Sequence, residues 1–433
     1  MTIIYSLMLR FFFCICCCIF YLLQNTHFLF AQDISRVKEN ISLLTSPQMH
    51  GRGATFYGDT IASFFLAKQF QKYKLQSFSQ NYYQPFTYNI NTFPGKVSLK
   101  VKGDELKIGK DFILHPSSGA GKNRVSSILL DTSIFNNPKA LRKFLKTDLT
   151  TKALLFETQF IKKAELSNSK LNAKLYTAGA WIELVDGKLT ASLSPQQYPF
   201  PYFQLKKDLY KNKKKADILF YVEAELKENY NSRNVIGYLP ASAPSDSFIV
   251  VTAHYDHLGH MGKEAYFPGA NDNASGTSMI LELMAHYASN NNSRPYNLVF
   301  ISFSAEEAGL IGSRFYTENP LFPLSKIKFL INLDLMGTGD EGMMVVNGAL
   351  HTKQFEKLQE INTRKNYLPA IKKRGKAANS DHYFFSENGV PCFFFYTMGG
   401  ITAYHDVYDI AATLPLTKYK EVFSLIVDFI DGM

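Results

Sequence analysis

The 433 residues provide for about two or three domains of ordinary size, and 46% hydrophobic against 19% charged residues excludes a mainly disordered chain. A formal net charge of +10 is spread along the sequence, with short basic clusters at 211–215 and 372–374. Neither aromatic–basic alternation nor zinc-finger spacing accompanies these clusters, which argues against a nucleic-acid partner and leaves them as solvated loops. Of the five cysteines, Cys14, Cys16, Cys17 and Cys18 crowd together near the start, so Cys392 has no partner for an intrachain disulfide. Inside the apolar run 390–396, it reads as a small buried hydrophobe.

Taken in chain order, residues 1–31 read as an export signal. Arg10 supplies the cationic start, 11–23 is unbroken apolar sequence, and Ala31 is a small residue suited to cleavage before Gln32. That run is shorter than the roughly twenty residues needed to cross a bilayer. The expectation is an exported protein, periplasmic or extracellular, with no stable membrane insertion after cleavage; an uncleaved anchor extended by 28–30 is the alternative. Residues 32–95 read as a helical N-terminal part, with apolar residues at helical spacing over 34–45 and 60–73, and Gly51, Arg52 and Gly53 in the link. Residues 96–222 change texture to short β-rich stretches, such as 97–101 and 126–130, among Lys, Asn and Ser turns. A Pro-aromatic run at 195–202 lies late in this region, no catalytic constellation appears in it, and it reads as an inserted β-rich domain.

Residues 223–433 form the third part, and from Asn234 the pattern is an α/β alternation. Strands are predicted at 235–239, 248–253, 298–303, 327–333, 343–347 and 391–396, and helices at 277–287, 310–317, 352–364, 381–387 and 416–430. The fold class is therefore α/β: a mixed, mostly parallel sheet sandwiched between helices, with a smaller β-rich domain inserted. In such sheets ligands gather where strands end, which directs attention to five places. His254 leaves the strand 248–253, and Asp256 could orient its imidazole; a structural histidine is the plain alternative. Asp272 lies in an Asn/Gly turn that Ser275 or Thr277 could close as a helix cap, or where a carboxylate could bridge two cations. Glu306 and Glu307 are adjacent acids that repel unless a cation or solvent relieves them; a charged turn is the alternative. Asp334 is flanked by leucines, costly to bury without a partner, and an exposed strand end is the other reading. Tyr404, His405, Asp406 and Asp409 occupy a loop before the last helix, while Ser380, Asp381 and His382 read equally well as a helix cap.

The ordered set HYDH (254–257), GANDNASG (269–276), AEEAGLIGS (305–313), NLDLMG (332–337), SDH (380–382) and YHDVYD (404–409) resembles metallopeptidase family twenty-eight. These are the co-catalytic zinc aminopeptidases, related to glutamate carboxypeptidase and to the zinc-free transferrin receptor. The resemblance covers about 234–433, with a softer echo at 50–53. It implies two zinc ions sharing an aspartate: His254 and Asp334 on one, Glu307 and His405 on the other, Asp272 bridging, and Glu306 as general base. Asp256 would stand behind His254, and the Tyr404 hydroxyl would help stabilise an oxyanion. The insertion resembles a protease-associated domain. Asn271 stands where many relatives carry an acid, at a position that is not a ligand. The implied function is an exported zinc aminopeptidase acting on peptides. Phe267, Met336, Phe394 and Tyr396 lie in the segments framing the site, where they form either an apolar side-chain pocket or part of the core. A carboxypeptidase or glutaminyl cyclase on the same scaffold, or a metal-free binding protein, are the alternatives.

Overall fold

The computed structural model describes residues 32–78, 80–130, 132–167, 169–210, 215–289 and 294–433. The export signal expected over 1–31 lies outside the described residues. The first helix, Ile34–Leu44, starts where Asp33 accepts hydrogen bonds from the N–H groups of Ser35 (2.9 Å) and Arg36 (3.4 Å). Val37, Ile41 and Leu44 recur at helical spacing and form its buried face. Arg36 reaches Glu282 with two nitrogens, at 2.6 and 2.7 Å, and Asp33 N–H donates to the same carboxylate at 3.0 Å. The Glu282 side chain is fully buried, so this fork pins the N-terminal segment to the helix Gly276–Ser289.

Eight strands make the main sheet, in the order Tyr83–Thr92, Glu225–Leu239, Asn297–Phe303, Phe248–His254, Ile327–Leu333, Cys392–Met398, Gly342–Val346, Ile371–Lys373. The central four run parallel, and the outer pairings are antiparallel except for the last, Gly342–Val346 with Ile371–Lys373, which is parallel. Both faces are covered. Val251, Ala253, Leu298 and Phe300 share one core with the helices Ile34–Leu44, Gly276–Ser289, Thr352–Lys365 and Tyr419–Asp431. Their neighbours Val250, Val299 and Ile301 point the other way, toward Tyr316 of Ile311–Glu318 and Phe385 of His382–Glu387. This period-two division is why the sequence of these strands is apolar throughout rather than alternating. Cys392 is buried and unpaired.

A second eight-stranded sheet is built entirely from Val97–Val222: Asp104–Leu106, Val97–Val101, Asp217–Val222, Gly121–Leu129, Lys152–Glu157, Ala180–Val185, Tyr202–Lys206 and Phe112–Leu114 in spatial order. The stretch is not purely β, because Pro138–Leu145, Thr158–Ser167 and Ser169–Leu175 are helices. Phe160, Leu171 and Leu175 from these helices pack with Leu154, Phe156 and Trp181, and Phe200 and Tyr202 of the Pro-aromatic run join them. On the opposite face Leu155, Ile182 and Phe203 share a core with Leu258, Met261 and Phe267 of the larger unit, so an apolar seam joins the two units. Among the described residues no helix is long and apolar enough to cross a membrane.

Removing Arg36 would leave the buried Glu282 charge without its cation. Arg36→Ala should lower the unfolding free energy by about 3 kcal/mol, the lower end of the range for breaking a buried pair, because Arg36 itself is partly exposed. Arg36→Lys should recover part of the loss, and urea denaturation measures both.

Candidate metal centre

Three neighbouring parallel strands deliver the first groups at their carboxyl ends. His254 terminates Phe248–His254, Glu306 and Glu307 follow Asn297–Phe303, and Asp334 follows Ile327–Leu333. Asp272 comes from the turn Ala270–Ser275, and His405 from the loop after Cys392–Met398. Asn273 closes that turn onto its helix: its Oδ1 accepts from Gly276 N–H at 2.9 Å and its amide donates to Leu333 O at 2.9 Å. Ser275 and Thr277, the residues expected to cap, instead donate to the carbonyls of Asn271 (2.6 Å) and His254 (2.9 Å).

The side chains converge on two positions. His254 Nε2 lies 3.5 Å from Asp272 Oδ1 and 3.4 Å from Asp334 Oδ1. His405 Nε2 lies 3.1 Å from both Asp272 Oδ2 and Glu307 Oε2. Asp272 therefore gives one oxygen to each imidazole. Asp334 Oδ2 accepts from Ser380 Oγ at 3.2 Å, while its buried Oδ1 has no hydrogen-bond donor. Such an orphaned oxygen beside an imidazole and a second carboxylate suits a cation. His254, Asp272 and Asp334 form one group able to hold a metal, and His257, Asp272 and Glu307 form another.

Supporting residues lie behind these. The hydrogen bond expected from the Asp256 carboxylate to His254 is made by its backbone: His254 Nδ1 donates to Asp256 O at 3.2 Å, whereas the carboxylate is 3.8 Å away. The carboxylate instead accepts the N–H groups of Glu306 (3.2 Å) and Glu307 (3.3 Å), which sets the direction of both glutamates. Three participants stand in motifs the sequence singles out but receive no role from it. His257 Nδ1 is 2.5 Å from Glu307 Oε1; its signal is the second histidine of HYDH. Asp409 accepts the N–H groups of Asn271 (2.8 Å) and Asp272 (3.0 Å). Arg52, fully buried, donates to the carbonyls of Leu44, Tyr255, Pro268, Gly269 and Asp272 at 2.6–3.3 Å. Its signal is the Gly-Arg-Gly link between the first two helices.

Burial and crowding dominate the electrostatics. Burial pushes Glu306 well above the usual carboxylate range, with Asp381, Glu307 and Asp334 adding to the shift. Burial also raises Asp334, takes Asp381 up to about 7 and takes Asp256 up to about 8. Glu307 is the exception: burial acts upward, but His405 and His257 together pull it well below its ordinary value. For His405, burial acts downward and is outweighed by Glu307 and Asp272, which hold it at about 11. The site thus carries more buried carboxylate than its histidines neutralise.

A cavity of about 280 Å³ opens beside His254, Asp272, Glu306, Asp334 and His405, with Leu335, Phe394, Tyr396 and Tyr404 on its walls. Tyr404 stacks on His405, ring centroids 4.0 Å apart. Of the residues expected to frame a pocket, Phe394 and Tyr396 do so, while Phe267 and Met336 belong to the two cores.

An α/β sheet with two imidazole–carboxylate clusters at its strand ends defines a metallohydrolase-type site. Residues 234–430, which carry every candidate ligand, match Peptidase family M28. Aminopeptidase YwaD of Bacillus subtilis is 28% identical over 254 residues, covering 56% of this chain and 51% of the relative. A probable leucine aminopeptidase of Trichophyton verrucosum is 30% identical over 197 residues, covering 42% and 50%. The matches thus span about half the length of these curated relatives. Among solved structures, a zinc aminopeptidase from Bacillus subtilis superposes with a TM-score of 0.68 at 19% identity, over 93% of this chain and 95% of that one. An aminopeptidase from Aneurinibacillus sp. strain AM-1 gives 0.63 at 20%, over 93% and 94%. These two share the fold.

The raised carboxyls make a signed prediction for the metal-free protein. Asp256 and Asp381 retain protons when folded that the unfolded chain releases near pH 4, so folding is progressively disfavoured as pH rises from about 4 through about 8. His405, raised from about 6.5, acts with the same sign above that value, and Glu307, held low, changes only below this interval. Burial lowers His115, His260 and His382 to about 4, which acts with the opposite sign below about pH 6.5. The test therefore lies above that value: in excess chelator, Tm should fall from about pH 7 to about pH 9. A Tm that rises across this interval would contradict the surplus of buried negative charge.

Proposed function

We propose that the chain is an exported zinc-dependent aminopeptidase that releases N-terminal residues from peptides. One observation carries the reading: the two oxygens of Asp272 divide between His254 and His405, each of which also faces a second carboxylate. Mixed imidazole and carboxylate donors suit zinc. His254 and Asp334 would hold one ion, His405 and Glu307 the other, and Asp272 both. Bound zinc supplies Lewis acidity, bringing the pKa of water from 15.7 to about 7 and polarising a carbonyl.

The remaining work falls to the chain's own residues. Glu306 lines the cavity and is biased toward holding a proton, so it suits a base that takes a proton from the attacking water and returns it to the leaving amine. Asp256, by gripping the Glu306 and Glu307 N–H groups, keeps the base and the ligand pointing to different places. Tyr404, stacked on His405 at the cavity wall, would donate to the oxyanion. Leu335, Phe394 and Tyr396 offer an apolar wall for a substrate side chain. The cationic start, apolar run and Ala31 support export, and the strand-rich texture of 96–222 supports a protease-associated-like role for the second unit.

Aminoacyl reporter substrates assayed with and without chelator test the reading, and purified protein should carry about two zinc ions per chain. Acetylating the peptide N-terminus should remove nearly all cleavage; equal kcat/KM on acetylated and free peptides would favour carboxypeptidase or endopeptidase action. Glu306→Gln should keep zinc and fold while kcat falls by ~10²–10⁴, so a wild-type kcat would exclude Glu306 as base. Asp272→Ala should lose metal together with activity, and a variant that still held two zinc ions would show the bridge to be wrongly assigned.

A further inference from the structure

The second unit touches the centre at one ligand. His405 Nδ1 donates to the backbone carbonyl of Ala191 at 3.0 Å, and Ala191 N–H donates back to His405 O at 2.9 Å. Ala191 lies in the irregular segment between the strands Ala180–Val185 and Tyr202–Lys206 of the second sheet, outside the residues matched to the peptidase family. The same segment grips the His405 loop on either side. Lys188 Nζ donates to Thr402 O at 2.9 Å and pairs with Asp406 at 2.7 Å. Val407 packs against the core of the second sheet, so close to Gly109 that a Cβ there would lie 2.8 Å from Val407 Cγ1. Leu189 and Ala191 are themselves buried in that core, so the segment is anchored rather than draped.

We infer that this segment of the second unit is a positioning element of the metal centre, an inference that rests on the zinc reading above. A carbonyl oxygen only accepts, so the Ala191 contact places the proton of His405 on Nδ1. The lone pair of Nε2 is thereby directed at Asp272 Oδ2 and Glu307 Oε2, where the second ion is proposed. His405 also adopts φ +52°, a left-handed conformation disfavoured for a residue with a Cβ. The bonds on its carbonyl and its ring, with those on Thr402 and Asp406, hold the loop there. The second unit therefore governs the affinity of one metal position, the His405–Glu307 one, and leaves the His254–Asp334 position alone.

The experiment measures zinc affinities on the full chain by competition with a chromophoric chelator. Ala191→Pro removes the N–H that clasps His405 O, and Lys188→Met removes the ion pair. The double variant should weaken one of the two zinc sites by ~10–100-fold, the scale set by partners behind a ligand, with the affinity of the other site unchanged. Lys188→Arg should bind both ions as the wild type does. Equal wild-type affinities at both sites in the double variant would overturn the inference. Imidazole ¹⁵N NMR of the zinc-loaded wild type reads the same claim without mutation: His405 should carry its proton on Nδ1, and a proton on Nε2 would overturn it. A wild type that binds no zinc would instead sink the metal reading itself, so the two failures are distinguishable.

Discussion

The site is organised around a single buried carboxylate shared by two imidazoles. Asp272 can occupy that position only because its backbone is clamped from both directions. Asp409 takes the N–H groups of Asn271 and Asp272, and Arg52 takes the carbonyls of Gly269 and Asp272. An exposed turn could not keep a side chain so placed, since loop ordering costs about 1–2 kcal/mol per residue of backbone alone. Arg52 contributes charge as well as geometry. Burial lowers its pKa to about 10, and the facing Asp272, Asp409, Asp256 and Glu307 act in the opposite direction. A guanidinium locked among carbonyls thus offsets part of the negative charge assembled in front of it, without occupying any ligand oxygen.

Left-handed backbone also recurs at the site. Ala305, just before the two glutamates, has φ +57°; Leu335, just after Asp334, has φ +55°; and His405 itself has φ +52°. Left-handed backbone at residues bearing a Cβ persists only where surroundings over-determine it. At the first of these positions the surroundings are visible: Glu306 N–H and Glu307 N–H end on Asp256, and Ile311 N–H ends on Ala305 O at 2.9 Å. Each sharp turn lets a strand stop and present an acid or an imidazole sideways, where a continuing strand would have sent successive side chains to opposite faces.

The sheet was legible in the sequence because its central strands are buried on both faces, which produces apolar runs such as 298–301. Among the candidate ligands, His254, Glu307 and Asp334 were legible because they lie at or just beyond the ends of such strands. What escaped had other causes. The helix Pro138–Leu145 is short and rich in Lys and Arg, and its apolar side, Leu141 and Phe144, is only partly buried against the second unit's core; its Asn137–Pro138 start, with Asn137 accepting from Lys139 and Ala140 N–H, was the readable sign. His257 lies beyond the strand that ends at His254, where alternation no longer says which way a side chain points. Arg52 and Asp409 act through backbone groups far away in sequence, and no local pattern encodes such partners. The contact between Ala191 and His405 belongs to this class too, since a carbonyl acceptor leaves no side-chain trace.

Glu306 and Glu307 show how far environment, rather than residue type, assigns work in this site. They are chemically identical neighbours on one turn, and the same aspartate holds both of their N–H groups. Yet Glu307 has His257 on one oxygen and His405 on the other, and the two imidazoles hold it as an anion. Glu306 faces Asp381, Glu307 and Asp334, and burial with their repulsion biases it toward the protonated form, opposed chiefly by His254. Pairs of acids whose surroundings push their proton affinities apart divide into a fixed anion and a proton carrier. The opposite shifts of Glu306 and Glu307 follow from a backbone that turns once at Ala305 and so sends adjacent side chains into opposite electrostatic surroundings.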